Sequence, residues 1–119
     1  LQRRALSKYH SGGLWTNTCC SHPRLGETPE NAAIRRLGEE MGMTCKLTRT
    51  TSFIYKKELD KGLTEHELDH VFVGVTDDLP VINKEEVEEW KYESITEIKK
   101  LIQILQNDPK KNIYDKKDK

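Results

Sequence analysis

The sequence predicts one domain of mixed α and β structure, and three observations carry that expectation. Two stretches have helical apolar spacing with recognisable caps, two have strand-like alternation, and no repeat or low-complexity linker separates them. At 119 residues, with 34% of them apolar, the chain suits a single small core.

The first helix is marked at both ends. Thr28 can cap it, Pro29 suits its first position and Gly42 can close it. Between them Ala32, Ala33, Leu37 and Met41 form an apolar stripe, leaving Arg35, Arg36, Glu39 and Glu40 on the flanks. Strands are expected around Leu47 to Tyr55 and around Glu65 to Val75, with Lys56 to Thr64, containing Asp60 and Gly62, as the connecting turn. In the second strand Glu65, Glu67 and Asp69 fall on the same face as Val71, Val73 and Val75, which puts a row of acids at the mouth of an apolar surface. A second helix is announced by the capping pair Ser94 and Glu97, ahead of Ile95, Ile98, Leu101, Ile102 and Leu105. Pro109 should follow its end. The expected organisation is a domain over 1–108 and a charged, mobile tail over 109–119.

Charge and cysteine usage narrow the function classes. Lys and Arg number 20, matched by 20 Asp and Glu, so the overall field attracts neither nucleic acid nor an anionic membrane surface. Any anion must be held by a local cluster. Cys19, Cys20 and Cys45 are odd in number and lack a CxxC spacing, which suits a reducing compartment and a cytoplasmic protein better than a disulfide framework. No apolar run approaches the roughly 20 residues of a membrane span, and no signal pattern opens the chain.

The chemistry-bearing residues lie close together in sequence. The run Trp15-Thr16-Asn17-Thr18-Cys19-Cys20-Ser21-His22-Pro23 is followed at once by the helix carrying Arg35-Arg36 and Glu39-Glu40. Residues four apart on a helix stand over one another, so Arg36 pairs with Glu40 and Arg35 with Glu39. Two solvated salt bridges are the plainer reading of that pattern. The alternative makes a glutamate the ligand of a hard cation, with an arginine gripping phosphate oxygens that the same cation holds. His22 with Glu65 and Glu67 could bind zinc, manganese or a similar ion, or be a turn histidine and two strand-face acids. Cys20 is by default a small buried hydrophobe, but beside a histidine and basic groups it could exchange protons. Arg3, Arg4 and Lys8 form a basic cluster that could be a solvated strand end or a phosphate site. Together these residues suit metal-assisted phosphate chemistry without naming a reaction.

The order Arg3-Arg4-Ala5-Leu6-Ser7-Lys8, Gly13 through Pro23, Ala32-Ala33-Ile34-Arg35-Arg36-Leu37, Glu39-Glu40-Met41-Gly42 and Glu65-His66-Glu67 resembles the type 1 isopentenyl-diphosphate isomerase family. The resemblance runs from Leu1 to about Ile98. The same stretch looks like a modified Nudix box: Glu27, Arg35, Leu37, Glu39, Glu40 and Gly42 fit, while Arg36 stands where Nudix hydrolases usually carry glutamate.

The resemblance implies a Nudix-like mixed sheet flanked by helices, and interconversion of isopentenyl and dimethylallyl diphosphates by a 1,3-proton shift through a tertiary carbocation. It implies Cys20 and Glu67 as opposed acid/base groups, assisted by Tyr55. It implies His22, Glu65 and Glu67 as part of a zinc or manganese site, and Glu40 as a ligand of the Mg2+ that travels with the diphosphate. It implies Arg4, Lys8, Ser21 and Arg36 as substrate-binding positions. Family members take two further histidine ligands and a phosphate-binding lysine from a segment preceding the position of Leu1, and a cation-stabilising tryptophan from a C-terminal segment that Ile104 to Lys119 does not match. The expected domain is therefore incomplete relative to the family. His66 and His70, on the opposite strand face from the glutamates, do not replace those ligands. Two alternatives stay open, a Nudix-type diphosphate hydrolase and a non-catalytic diphosphate-binding remnant.

Overall fold

A computed structural model describes residues 1–8, 12–58 and 62–107, apart from the side chains of Tyr55, Lys57, Glu65 and residues 105–107. The tail expected over 109–119 lies outside the described residues, as does Asp60 of the expected turn. The elements in chain order are β1 (Gln2–Arg4), β2 (Trp15–Thr16), α1 (Pro29–Met41), β3 (Thr48–Glu58), β4 (Thr64–Val73), β5 (Val87–Trp90) and α2 (Ile95–Asn107). The fold class is α+β, as the sequence predicts. Among the described residues the strands form a three-stranded sheet in the order β2-β1-β5 and a separate β3-β4 hairpin, each pairing antiparallel.

Helix α1 has the caps its sequence announces. The Thr28 hydroxyl accepts from the Asn31 amide at 3.1 Å, Pro29 opens the helix, and Gly42 closes it with φ of 61°. A side chain at Gly42 would meet the Val81 carbonyl oxygen at 2.3 Å, so both the left-handed backbone and the close approach require glycine. Ala32, Leu37 and Met41 are buried as the stripe predicts, and Glu40 is buried with them. Leu37, Met41 and Val87 form the core, with Cys19, Met43, Cys45, Leu47, Ile82 and Trp90 packed around it.

The hairpin is longer at its turn than the sequence suggests. Strand β3 continues through Lys56 to Glu58 because Lys56 pairs with His66 and Glu58 with Thr64. At the other end β4 stops at Val73, and Gly74 packs so closely that an added Cβ would lie 2.6 Å from Cys45 Sγ. Val75, expected on the strand face, is exposed beyond that end.

Three short strands escape the sequence reading. Strands β1, β2 and β5 have three, two and four residues and are defined by long-range pairing, such as Gln2 opposite both Thr16 and Trp90. In α2 the Ser94 hydroxyl accepts from the Glu97 amide at 3.1 Å, as the capping pair predicts. Its apolar stripe is only partly covered: Ile95 and Ile102 are exposed, and α2 has no extensive packing against another element among the described residues.

Candidate active site

A cavity of about 520 Å³ opens between α1, the β3-β4 hairpin and the loop after β2. The loop contributes Cys20, Ser21 and His22, α1 contributes Arg36, and β4 contributes Glu67. Apolar groups form much of the rest, including Leu37, Leu47, Phe53, Leu68 and Val71, with Asn17, Thr18, Asp69, His70 and Thr76 also on the wall. Five of the residues singled out by sequence therefore share one wall system.

The first link across it is His22 to Glu67, with Nδ1 3.2 Å from Oε2. Their sequence separation gives no hint of this meeting. The antiparallel register of the hairpin turns Glu67 toward the Cys-Cys-Ser-His loop, with Tyr55 opposite Glu67 along the ladder and Lys57 opposite Glu65. The side chains of Tyr55 and Glu65 lie outside the described residues. Cys20 is exposed to solvent, whereas neighbouring Cys19 is half-buried.

Below this wall runs a chain of charged groups. Glu40 is only 5% exposed. It accepts from Arg36 Nη2 at 2.5 Å, Gln2 Nε2 at 3.2 Å and Cys19 Sγ at 3.1 Å. Burial, and after it the Glu40 carboxylate, push the Cys19 thiol well above the ordinary thiol range. Both cysteines line the cavity, but Cys19 serves as a protonated donor to Glu40, and Cys20 is the more exposed of the two. Arg36 also reaches Glu39 at 2.9 Å and Glu86 at 3.4 Å. Glu86 in turn contacts the Lys8 ammonium. Burial is the main influence that lowers the Lys8 pKa, with Arg4 and Arg36 acting in the same direction and Glu40 opposing them.

The parallel pair on the outer flank behaves differently. Arg35 grips Glu27 through two hydrogen bonds, Nε to Oε2 at 2.8 Å and Nη2 to Oε1 at 2.9 Å, and also donates to Glu39 at 2.8 Å. The Glu27 carboxyl, which accepts from the Arg24 amide as well, is held down at about 2, chiefly by Arg35. This clamp ties the loop before α1 to the helix. The plain salt-bridge reading suits Arg35 and Glu39; at the base of the cavity Arg36, itself part-exposed, pairs with the buried Glu40.

The predicted positions are thus brought together unevenly. Cys20, Ser21, His22, Arg36 and Glu67 line the cavity, Glu40 underlies it through Arg36, and Lys8 joins it through Glu86. Arg4 lies in β1, its amide bonded to the Leu14 carbonyl at 2.8 Å, and its charge acts on Lys8. Among the described residues no group of three or more His, Cys, Asp or Glu side chains is close enough to share an ion. The metal-ligand expectation reduces there to the His22-Glu67 pair, with Glu40 engaged separately. Sequence reasoning missed Gln2, Cys19 and Glu86. Glu86 sits in the run Lys84-Glu85-Glu86 and reads as solvated charge, so only the tertiary contact singles it out. No helix among the described residues is long and apolar enough to cross a membrane.

Residues 1–115 match the NUDIX domain model. The chain is similar to the isopentenyl-diphosphate Delta-isomerase of Pectobacterium atrosepticum, at 60% identity over 98 residues that cover 82% of this chain and 55% of that protein. It is also similar to isopentenyl-diphosphate Delta-isomerase 2 of Aromatoleum aromaticum, at 56% identity covering 82% of this chain and 52% of the relative. The corresponding isomerase 2 of Photorhabdus laumondii is 54% identical, with 86% and 58% covered. The chain spans about half the length of the curated relatives it matches.

Proposed function

This chain belongs to the Nudix domain family, and from that premise we propose that it serves the isomerisation of isopentenyl diphosphate to dimethylallyl diphosphate. The observation that carries the reading is the shared cavity of Cys20, His22, Arg36 and Glu67, which puts a thiol, a carboxylate and a guanidinium around one mostly apolar space. The similarity to proteins named as isomerases supports the choice of substrate.

In this reading Arg36, with Lys8, Arg4 and Ser21, holds the diphosphate, and the hydrocarbon tail lies along Leu37, Leu47, Phe53 and Val71. The Cys20 thiol gives its proton to the terminal alkene carbon, leaving a thiolate and a tertiary cation at the adjacent carbon. Glu67, with Tyr55 as assistant, removes the proton from the carbon on the other side of the cation, and the electron pair of that C–H bond forms the new double bond. The apolar lining keeps water from capturing the cation.

The His22-Glu67 pair has a spacing that suits two ligands of one divalent ion. Two ligand atoms each about 2.1 Å from a tetrahedral ion stand roughly 3.4 Å apart, close to the His22-Glu67 separation of 3.2 Å. His22 and Glu67, with Glu65, would hold Zn2+ or Mn2+, and Glu40 would be offered to the Mg2+ of the substrate. Such ions, when bound, supply charge neutralisation at the carboxylates and the diphosphate.

Arg36 separates this reading from hydrolysis. A guanidinium donates to phosphate oxygens and cannot act as a base, whereas a glutamate there could help activate water. Incubation with isopentenyl diphosphate and magnesium distinguishes the candidates by product. Dimethylallyl diphosphate supports the isomerase, inorganic phosphate a Nudix-type hydrolase, and neither product with retained diphosphate binding a non-catalytic domain.

A further inference from the structure

Glu86 is the acidic group that the reaction does not use, yet it lies where two elements of the phosphate site meet. Its carboxylate touches Lys8 from the segment after β1 and Arg36 from α1, the latter at 3.4 Å to the same Oε2 atom. Its backbone is fixed: the Glu86 amide donates to the Asn83 carbonyl at 2.9 Å, and the Glu86 carbonyl accepts from the Ala5 amide at 3.1 Å. Glu86 is anchored at its backbone, and its side chain is partly exposed.

We propose that the Glu86 carboxylate is a built-in counterion on Lys8 and Arg36, and that a diphosphate binds by displacing it from both cations. The inference rests on the reading of those two residues as diphosphate-binding groups. Burial, Arg4 and Arg36 all disfavour the charged form of Lys8, so an anion beside Lys8 and Arg36 offsets a repulsive, partly desolvated cluster. Glu40 cannot be the group that yields, because Gln2, Cys19 and Arg36 fix it and its side chain is 6% exposed. The Glu86 side chain is 26% exposed and stands nearer water. When phosphate oxygens take over the Lys8 and Arg36 donors, the Glu86 carboxylate is rehydrated and its charge no longer competes for the same hydrogen bonds.

Calorimetric titration with inorganic pyrophosphate and magnesium tests this on the unaltered protein, Glu86→Gln and Lys8→Met. Glu86→Gln keeps the side-chain shape while removing the competing charge, and should bind pyrophosphate about tenfold more tightly. A purely structural role for Glu86 would give the opposite sign. Lys8→Met should bind more weakly. If Lys8→Met weakens binding while Glu86→Gln leaves it unchanged or weaker, the counterion proposal fails and the diphosphate reading survives. If neither substitution changes the affinity, that reading fails too. Should Glu86→Gln not fold, the carboxylate carbon signal of Glu86 in the unaltered, ¹³C-labelled protein decides. A signal shifted by saturating pyrophosphate supports displacement, and one that stays in place overturns it.

Discussion

Replacing Arg36 by methionine separates a structural ion pair from a substrate-binding one. The substitution keeps most of the aliphatic volume but removes the donor 2.5 Å from Glu40, whose residue is 5% exposed. Leaving a buried charge without its partner costs about 3–5 kcal/mol. Glu40 keeps Gln2 at 3.2 Å and Cys19 at 3.1 Å, and neutral donors return about 1 kcal/mol each. The expected loss of stability is therefore about 1–3 kcal/mol, or roughly 4–12 °C in Tm for a domain of this size. Adding Glu40→Gln should recover most of that loss, because the stranded charge goes with it. It should not recover pyrophosphate affinity, which needs the guanidinium. Urea unfolding and calorimetric titration of both variants give the two readouts. A single variant within 0.5 kcal/mol (about the limit for a solvated pair) would refute the buried-pair argument, and a double variant that regains pyrophosphate affinity would refute the functional one.

Three further outcomes follow from the same geometry. Cys20→Ala should abolish isomerisation without loss of folded fraction, whereas Cys19→Ala should retain turnover within about tenfold, since it loses only a neutral donor to Glu40; turnover at matched folded fraction compares them. At pH 8 iodoacetamide should label exposed Cys20 before Cys19, and because the folded Cys19 thiol holds its proton more tightly than the unfolded one, its stabilising contribution is present below about pH 9 and is lost at higher pH; peptide mass mapping and alkaline urea curves check both. Glu27 has the opposite sign: its carboxyl, lowered to about 2, contributes stability above the ordinary value of 4.5 and loses it as the pH falls toward 2. Arg35→Met should flatten that acid limb in urea titrations.

Local signals made the helices legible. Thr28, Pro29 and Gly42 fix the ends of α1 through interactions within a few residues, and Ser94 with Glu97 does the same for α2. Alternation found β3 and β4 but not their ends, which depend on pairing near the turn and on the approach of Gly74 to Cys45. Strands β1, β2 and β5 are too short to carry a periodic signal and exist through their partners. The site divides in the same way. Residue order and family resemblance singled out Cys20, His22, Arg36 and Glu67, and the cavity brings them together. Gln2 and Glu86 matter because they lie 38 residues from Glu40 and 78 residues from Lys8 along the chain yet touch them, a separation no local pattern encodes.

Conversion of isopentenyl diphosphate in heavy water, followed by mass analysis and deuterium NMR of the product, examines the proton shift itself. The account expects dimethylallyl diphosphate carrying solvent deuterium in a methyl group, formed by the unaltered protein and lost in both Cys20→Ala and Glu67→Gln. Product free of solvent deuterium, release of inorganic phosphate in its place, or undiminished turnover in either variant would contradict it.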